Sequence, residues 1–263
     1  MTAYSVGSVD AALKLLLLLD AQGRVRVSDA ASFLGVAPST AHRLLGTLRD
    51  HGFVEQDGGS REYLLGPTIV RLGLAALARV NIRDVARPHI ERLSEETAET
   101  VHVGVLRGPK ILFVDSVEST RALRVSSRMG ALMWAHCTSL GKAVLAQLPP
   151  GELRQLFPRE ALPTLTQRST STRTRLTTEL RAVRARGYAV NRGEGEEGVG
   201  SVGVAIHDTH GRPVAGISTA APLPRLGKER VVELARLTLA TAKAIGAALP
   251  PDGGAAAVDN FIR

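Results

Sequence analysis

A short polar stretch near the N terminus carries the side chains whose types and spacing best suit a chemical task. Hydroxyls, an imidazole and a guanidinium occur together there, with no acidic residue among them, in Ser39, Thr40, His42, Arg43 and Thr47. Hydroxyl and imidazole groups bond phosphate oxygens, and the guanidinium fork matches the acceptor pair that guanine presents in the major groove. We therefore expect Arg43 to read a base, together with Thr40 and Thr47. Ser39 and His42 are expected to contact the DNA backbone.

These side chains can act together only if one helix presents them on the same side. Four apolar residues recur at three- and four-residue spacing, namely Ala41, Leu44, Leu45 and Leu48. A helix turns such a stripe inward and leaves the polar residues outside. Gly46 lies on the outer side, where the lack of a side chain permits close approach to a duplex. The sequence predicts a helix with Ser39 as its N-cap.

Two helical patterns precede this helix. Residues 8–20 predict an amphipathic helix with an inward face formed by Val9, Ala12, Leu15, Leu16 and Leu19. A second helix is predicted from Ser28, as its N-cap, to Leu34, and Gly35 suits the left-handed conformation that ends a helix. Two short helices joined by a glycine-containing turn predict a helix-turn-helix.

A hairpin pattern follows the third helix. The runs Phe53-Val54-Glu55 and Tyr63-Leu64-Leu65 flank the turn sequence Asp57-Gly58-Gly59-Ser60. Arg61 comes next to that turn, so we expect it to reach a phosphate or the adjoining minor groove. Three helices and this hairpin predict a winged helix-turn-helix. A small helical module that binds other proteins remains an alternative.

The rest of the chain alternates strand-like and helical patterns. Strands are predicted at residues 101–106, 111–117, 202–206 and 214–219, and helices at 85–97, 140–148, 177–186 and 230–249. Antiparallel hairpins flanked by helices predict an α+β domain. The predicted organisation is a winged helix-turn-helix domain (1–66), a linker helix (67–82), a larger α+β domain with an antiparallel sheet (83–249) and a frayed tail (250–263).

Composition and charge exclude several classes of protein. The single cysteine, Cys137, excludes a disulfide-stapled secreted fold, and the longest aliphatic run, residues 15–19, is too short to span a membrane. No secretory signal is predicted, so a cytoplasmic protein without a membrane partner is expected. The net charge is +8, yet residues 1–82 hold eight basic and seven acidic residues. Seven arginines of residues 168–192 face only Glu179, and a solvated helix or an oligomer face explains that run at least as well as DNA does.

Seven motifs, in order along nearly the whole chain, resemble those of one family. They are Ser39-Thr40-Ala41-His42-Arg43-Leu44-Leu45, Gly52-Phe53-Val54, Tyr63-Leu64-Leu65-Gly66-Pro67, Ala86-Arg87-Pro88, Glu96-Thr97-Ala98-Glu99-Thr100-Val101, His136-Cys137-Thr138-Ser139-Leu140-Gly141-Lys142-Ala143 and Arg186-Gly187-Tyr188. The chain resembles the IclR family of bacterial transcriptional regulators. The resemblance implies a winged helix-turn-helix joined to an effector-binding domain, acting as a homodimer or homotetramer on a promoter.

The resemblance also implies an effector pocket in the second domain. Backbone amides of Ser139 and Leu140 would contact the effector, and the positive end of the helix that starts there favours a carboxylate. The other implied pocket residues are Asn191, Ser201 and Ser218, with Leu123 as an apolar wall, and Met133 and Trp134 could add apolar or aromatic surface. Asn191 stands where some relatives have a carboxylate, Ser201 where many have cysteine and Ala220 where many have serine. This implies a ligand unlike those of known relatives. Core packing or helix capping remains an alternative for each residue.

Several patterns that suggest an enzyme or a metal site lack their companions. Ser139-Leu140-Gly141-Lys142 has S-x-x-K spacing, but no S-D-N or K-T-G motif accompanies it. Residues 193–198 and 198–203 spell G-x-G-x-x-G, but the first carries three carboxylates and the second runs into a predicted strand. His136-Cys137 and His102 lack zinc-site spacing. No catalytic residue, cofactor or metal ligand is predicted.

The sequence thus predicts a DNA-binding regulator and favours a repressor whose effector is a small carboxylic acid. Two readers in a symmetric oligomer would bind a near-palindromic operator with half-sites about one helical turn, or a multiple, apart. One rival is a small-molecule-metabolising enzyme with a helical accessory domain, although no nucleophile with a positioned base can be identified. Another is a ligand-binding or protein-interaction module that never touches DNA.

Overall fold

The chain forms two compact units, residues 1–78 and 79–263. The structure is a computed structural model that describes residues 7–78 and 82–250. Residues 251–263 of the predicted tail and residues 79–81 of the predicted linker lie outside the described residues. Within the described parts, no helix is both long enough and apolar enough to cross a lipid bilayer.

The first unit contains four helices and a two-stranded hairpin in its described part. They are α1 (Gly7–Gln22), α2 (Val27–Leu34), α3 (Pro38–Asp50), β1 (Val54–Gln56), β2 (Tyr63–Leu65) and α4 (Pro67–Ala78). The core lies where α1, α2, α3 and the hairpin meet, and its largest fully buried side chains are Tyr63, Leu15, Leu19 and Leu45. Val25 and Tyr63 exchange backbone hydrogen bonds of 3.1 and 2.8 Å, which tie the α1–α2 connection to the hairpin. The winged helix-turn-helix arrangement is confirmed.

Two predicted helix starts are wrong by one or two residues. Helix α2 begins at Val27, because the Asp29 carboxylate accepts a hydrogen bond from the backbone N–H of Arg26 at 3.2 Å. Helix α3 begins at Pro38, whose ring fixes a helical φ and removes an N–H that would lack a partner in the first turn. Ser28 and Ser39 therefore lie inside their helices. Gly35 does adopt the predicted left-handed conformation, with φ of 66°.

The inward face of α1 also differs in part from the prediction. Leu15 and Leu19 are buried as predicted, and Leu18 joins them. Val9 is instead 56% exposed, and two further leucines, Leu13 and Leu17, are 56% and 68% exposed. The remaining predicted members, Ala12 and Leu16, are half-buried. A five-leucine run offers more than one apolar face, so periodicity alone did not select the buried one.

The second unit is built around one six-stranded antiparallel sheet in the order β5-β4-β3-β8-β7-β6. Its strands are β3 (Thr100–Arg107), β4 (Lys110–Val117), β5 (Leu132–Trp134), β6 (Ala189–Arg192), β7 (Val199–His207) and β8 (Pro213–Pro222). Its helices are α5 (Ile82–Thr97), α6 (Ser139–Leu145), α7 (Pro150–Leu156), α8 (Arg173–Arg186) and α9 (Lys228–Ala248). The predicted α+β class and antiparallel sheet are confirmed, while β5, β6 and α7 were not predicted.

Helix α6 lies close to the sheet because glycines form the floor beneath it. A Cβ atom on Gly203 of β7 would collide with the backbone of Ser139 and Leu140, and one on Gly216 of β8 would come within 2.8 Å of the Leu140 carbonyl oxygen. The opposite face of the sheet packs on α9, where Val202 joins Leu234 in an apolar cluster. The sheet therefore holds the N-terminal end of α6 against its polar face.

Most arginines of the run 168–192 are exposed, and several also bond the backbone of their own unit. Five guanidinium groups donate hydrogen bonds to backbone carbonyl oxygens within the second unit, those of Arg168, Arg173, Arg184, Arg186 and Arg192. The sequence suggested a solvated or oligomeric face for this run. Six of the seven arginines are exposed, and Arg173 is half-buried, so the run lies at the surface of the unit while it bonds these carbonyl oxygens.

Candidate nucleic-acid interface and ligand cavity

Helix α3 presents its polar residues on one exposed face. Ala41, Leu45 and Leu48 are buried, and exposed side chains occupy the opposite side at Ser39, Thr40, His42, Arg43 and Thr47. The Thr47 hydroxyl donates to the carbonyl oxygen of Arg43 at 3.0 Å. Among the described residues, the Arg43 guanidinium has no hydrogen-bond or ion-pair partner, so all its donors remain available to a ligand. The face has the chemistry that a major-groove reader requires.

The hairpin turn that follows β1 places Arg61 in an exposed position at its far end. Arg61 adopts the left-handed region with φ of 59°, a conformation that costs a non-glycine residue about 1 kcal/mol. The turn is held by Asp57, which accepts a hydrogen bond from the Ser60 hydroxyl at 2.6 Å. That bond lowers the pKa of the Asp57 carboxyl. The turn that carries Arg61 is therefore held by a hydrogen bond between its own side chains.

Two arginines that the sequence analysis did not single out neutralise acids beside the hairpin. The Arg26 guanidinium lies 3.1 Å from the Glu62 carboxylate, and Arg24 lies 3.8 Å from both Glu62 and Asp57. Without these cations, the carboxylates would repel a phosphate backbone near Arg61. The sequence shows basic residues before α2 and acids in the turn. Only the Val25–Tyr63 contact brings these residues together, so the sequence alone does not indicate that they pair.

In the second unit, five of the predicted effector residues line one cavity. They are Ser139, Leu140, Asn191, Ser201 and Ser218. The Ser139 and Ser201 hydroxyls are hydrogen-bonded at 2.7 Å across the junction of α6 and β7. The free volume of the cavity is about 30 Å³, which is room for one or two water molecules.

The polar groups of Asn191 are already engaged within the protein. Its amide nitrogen donates to the Cys137 carbonyl oxygen at 2.6 Å, and its amide oxygen accepts the backbone N–H groups of Gly193 and Glu194. Asn191 thus fixes the segment that follows β6 against the residues before α6. This geometry indicates a positioning role for Asn191 at the edge of the cavity.

Three predicted effector residues lie outside this cavity. Leu123 is 68% exposed, and its carbonyl oxygen accepts a hydrogen bond from Arg225 at 2.9 Å. Met133 lines a neighbouring cavity and accepts a hydrogen bond from Arg128 through its sulfur. Trp134 packs against the apolar core beside α6, and the Lys110 ammonium lies 5.0 Å from the centre of its ring. The apolar wall of the small cavity is formed instead by Phe113, Leu140 and Val199.

The cavity also contains charged and titratable residues that sequence reasoning missed. Arg128 and Glu196 both line it and form an ion pair with a 2.5 Å contact. His102 lines it as well, and burial lowers the pKa of its imidazole to about 4, so the ring is neutral at pH 7. Arg128 and Glu196 are 68 positions apart and lie in connecting segments, so no periodicity or motif could associate them.

The residues of the enzyme-like and metal-like sequence patterns are engaged in other ways in the structure. The Lys142 ammonium donates to Glu179, Glu194 and the Val190 carbonyl oxygen, so it is not directed at Ser139 as S-x-x-K chemistry would require. Burial raises the pKa of the Cys137 thiol to about 11, which leaves it protonated and a poor metal ligand. The second glycine-rich run continues into strand β7, as predicted.

Comparisons with known proteins agree with both halves of this architecture. Residues 8–58 match the family model described as IclR helix-turn-helix domain, and residues 74–247 match that described as Bacterial transcriptional regulator IclR C-terminal. The chain is 31% identical to the HTH-type transcriptional regulator BhcR of Paracoccus denitrificans over 94% of this chain and 88% of that protein. It is 30% identical to the Transcriptional repressor IclR of Escherichia coli over 93% and 91%.

A solved structure shows the same fold over almost the full length of both chains. The putative transcriptional regulator RHA06195 from Rhodococcus sp. RHA1 superposes with a TM-score of 0.80 at 30% identity, covering 95% of this chain and 99% of that one. The matched families and relatives are transcriptional regulators rather than enzymes.

Proposed function

This chain belongs to the IclR family of bacterial transcriptional regulators, and from that premise we propose that it is a repressor whose affinity for its operator is set by a small organic acid. It is a DNA-binding regulator, and the repressor role and the effector are the proposed additions. The observation that carries the DNA-reading part is the exposed polar face of α3, on which Arg43 has unengaged donors and the one acid, Asp50 at the C-terminal end, is paired with Arg49. We assign base reading to Arg43 with Thr40 and Thr47, and backbone contacts to Ser39, His42 and Arg61.

The effector part of the proposal concerns the cavity between α6 and the sheet. Its hydroxyls, its apolar wall and its guanidinium together suit a small molecule with an acidic group and a compact apolar body. We assign effector contacts to Ser139, Leu140, Ser201 and Ser218, with Asn191 positioning the cavity edge and Met133 bordering it. Leu123 and Trp134 are left out because neither lines the cavity. A ligand that binds one DNA-affinity state better than the other shifts the population toward that state.

The proposed organisation keeps the predicted boundaries, with a reader in residues 1–66, a linker in 67–82 that contains α4 (Pro67–Ala78), an effector domain in 83–249 and a tail from 250. A homodimer or homotetramer would place two readers on a near-palindromic operator. Half-sites should then lie about one helical turn, or a multiple of it, apart.

Electrophoretic mobility shift on the region upstream of the chain's own coding sequence tests the DNA-reading part. The variant Arg43→Ala should lose about 1–3 kcal/mol of binding free energy and relax the preference at one base pair. Equal loss on all sequences would instead make Arg43 a phosphate contact. The control is Arg175→Ala, which removes the same charge from an exposed position of α8 and should leave binding unchanged.

Thermal unfolding in the presence of a panel of small organic acids tests the effector part independently. A selective ligand raises the unfolding temperature in proportion to the logarithm of its concentration over its dissociation constant. The same ligand should then change the operator affinity. A ligand that stabilises the protein and leaves operator binding unaltered would contradict the regulatory role.

A further inference from the structure

One ion pair separates two cavities in the second unit. The small cavity beside α6 shares Arg128, Glu196 and Val199 with a more open cavity of about 440 Å³. The outer cavity is lined on its other side by residues 124–127, Ala131 and Met133. The Arg128–Glu196 pair therefore lies at the boundary between the outer space and the polar hydroxyls of the inner one.

The inner cavity has one cationic and one anionic side chain among the described residues that line it. These are Arg128 and Glu196, and they neutralise each other through the 2.5 Å contact. His102 adds no charge at neutral pH, because its buried imidazole is unprotonated. Among these residues, only Arg128 can therefore neutralise an anion that enters the inner cavity, and only after the Glu196 carboxylate leaves the Arg128 guanidinium.

The two partners differ in how firmly they are held. The Arg128 side chain is 17% exposed, and it also donates to the Met133 sulfur at 2.7 Å. The Glu196 side chain is 61% exposed, and Arg128 is its one hydrogen-bond or ion-pair partner within the described residues. Moving the Glu196 side chain into solvent breaks one partly screened ion pair. Moving the Arg128 side chain would also remove its contact with the Met133 sulfur.

The small volume of the inner cavity also indicates that Glu196 is the residue that moves. Space for one or two waters is far below the roughly 300 Å³ at the low end of ligand pockets, so a ligand with several heavy atoms needs part of the wall to move. Among the described residues of this wall, Glu196 is the exposed one, and Arg128 alone holds its side chain through a hydrogen bond or ion pair. Its displacement would join the inner space to the outer cavity.

We propose that Arg128 is the residue that recognises the carboxylate of the effector. In the absence of ligand, the Glu196 carboxylate pairs with the Arg128 guanidinium, and the ligand carboxylate then replaces that of Glu196. This inference rests on the proposed effector role of the cavity. The exchange substitutes one carboxylate for another on the same guanidinium, so it favours acids and disfavours their uncharged amides. Arg128 thereby sets the chemical class of the ligand, while the cavity wall sets its size.

Calorimetric titration of the full-length protein tests the proposal with lactate, butyrate and benzoate, each beside its amide. At least one acid should bind the wild type at millimolar concentration or below, and its amide should not. Arg128→Met should lower the affinity for that acid at least tenfold, because it removes a charge-assisted contact. Arg128→Lys should lower the affinity by a smaller factor. Glu196→Gln should tighten binding roughly three- to tenfold, because it removes the competing carboxylate.

Helix α9 offers a matched control pair. Arg230 and Glu233 form an ion pair of 2.7 Å, and neither residue lines the inner or the outer cavity. Arg230→Met and Glu233→Gln should leave the affinity for the acid unchanged. Circular dichroism on each variant verifies that the fold is intact.

Several results would overturn the proposal. They are binding of no acid to the wild type, equal binding of an acid and its amide, unchanged affinity in Arg128→Met, or unchanged or weaker affinity in Glu196→Gln. Operator binding without ligand is measured on the same samples. If the wild type shifts DNA while these titrations fail, the recognition by Arg128 fails alone. If acids bind through Arg128 and no DNA is shifted, the regulatory function fails alone.

Discussion

Lys142 is the most deeply buried charge in the second unit. Its side chain is 0% exposed, and its ammonium donates to Glu179 at 2.6 Å, to both Glu194 oxygens at 2.8 and 2.6 Å and to the Val190 carbonyl oxygen at 2.9 Å. The two carboxylates come from α8 and from the segment after β6, so the ammonium joins three parts of the unit. Such a cluster stabilises only while every member keeps its partner.

Replacing this cation leaves two carboxylates facing each other without compensation. We expect Lys142→Met to lower the free energy of unfolding by about 3 kcal/mol at pH 7. Burial already raises the pKa of Glu194, and loss of the ammonium raises it further. A carboxyl whose folded pKa is raised favours the folded state when protonated, so the deficit should shrink as the pH falls toward 5.

Urea denaturation at pH 7 and pH 5 measures this difference. Lys228→Met, at an exposed position in the first turn of α9, is the control and should change stability little at either pH. A deficit in Lys142→Met that stays constant or grows on acidification would contradict the assigned role of the cluster.

At the same scale, the sequence allowed some site residues to be predicted and not others. Arg43 was accessible to reasoning because its neighbours fix a helical period, and the period fixes its side. Arg128 was not, because a residue in an irregular segment acquires a partner only through the tertiary fold. Asn191 was assigned to the pocket by resemblance, but its hydrogen bonds to the backbone could be known only from coordinates.

Among the elements, α3 contains a feature that separates folding from recognition. Gly46 lies within the helix, and a Cβ atom built on it meets nothing within 4 Å. Gly46→Ala should therefore raise the free energy of unfolding by about 0.5–1 kcal/mol, because alanine is the better helix former. The same methyl group adds bulk to the face that is proposed to enter DNA, so operator affinity should fall.

Denaturation and mobility-shift titrations on the same samples measure the two effects of Gly46→Ala. The control is Gly151→Ala in α7, where a Cβ atom also meets nothing. It should leave operator affinity unaltered. If Gly46→Ala binds the operator as tightly as the wild type, this face of α3 does not approach the duplex closely.

Helix α6 depends on its neighbour α8 for the carbonyl groups at its C-terminal end. The Arg184 guanidinium donates to the carbonyl oxygens of Ala146 at 2.6 Å and Leu148 at 2.9 Å. Arg184→Met keeps the aliphatic stem but loses both bonds, and we expect it to lower the free energy of unfolding by about 1–2 kcal/mol.

Thermal and urea denaturation of Arg184→Met measure that loss. Arg181→Met, an exposed position one turn earlier on the same helix, has no hydrogen bond or ion pair in the described part of the chain. It should be close to neutral. Similar losses in both variants would assign the effect to surface charge instead of to the capping bonds.

Element by element, the strongly periodic segments were predictable and the short ones were not. Helices α5, α8 and α9 and strands β3, β4, β7 and β8 follow from their apolar spacing. Strands β5 and β6 have three and four residues, too few for an alternating pattern to be recognised. Their pairing energy comes from β4 and β7, which lie far away in the sequence or across a turn.

On the scale of the whole molecule, the exposed stripe of α1 indicates how two readers could be held together. Val9, Leu13 and Leu17 recur every four residues on one side of the helix and are each more than half exposed. Two copies of such a stripe can bury each other about a two-fold axis, as a symmetric operator requires. We expect Leu17→Glu to shift the protein toward smaller species and to weaken binding to a two-half-site operator more than to a single half-site.

Sedimentation velocity and mobility shift measure these two effects, and circular dichroism checks that the substitution at this exposed position leaves the fold intact. Lys14→Gln on the same helix, where Lys14 pairs with Asp10 at 2.7 Å, is the control and should preserve assembly. Wild-type protein that sediments as a monomer while it binds a two-half-site operator tightly would exclude α1 as the contact.

Whole-molecule charge was the least informative property of the sequence. The net charge of +8 supported no DNA-binding inference by itself, because residues 1–82 hold eight basic and seven acidic residues. In the second unit, five arginines of the 168–192 run bond carbonyl oxygens of their own unit although most of them are exposed. Composition counts charges without their positions, so it could not locate a DNA-facing surface.

The position of Trp134 has a practical consequence. It is the single tryptophan of the chain, it follows Met133 in β5, and the Met133 sulfur accepts a hydrogen bond from Arg128. Any rearrangement of that guanidinium must therefore occur next to the neighbour of the sole indole. Intrinsic fluorescence excited in the indole band consequently reports from one known place, and the protein carries its own optical probe without a label.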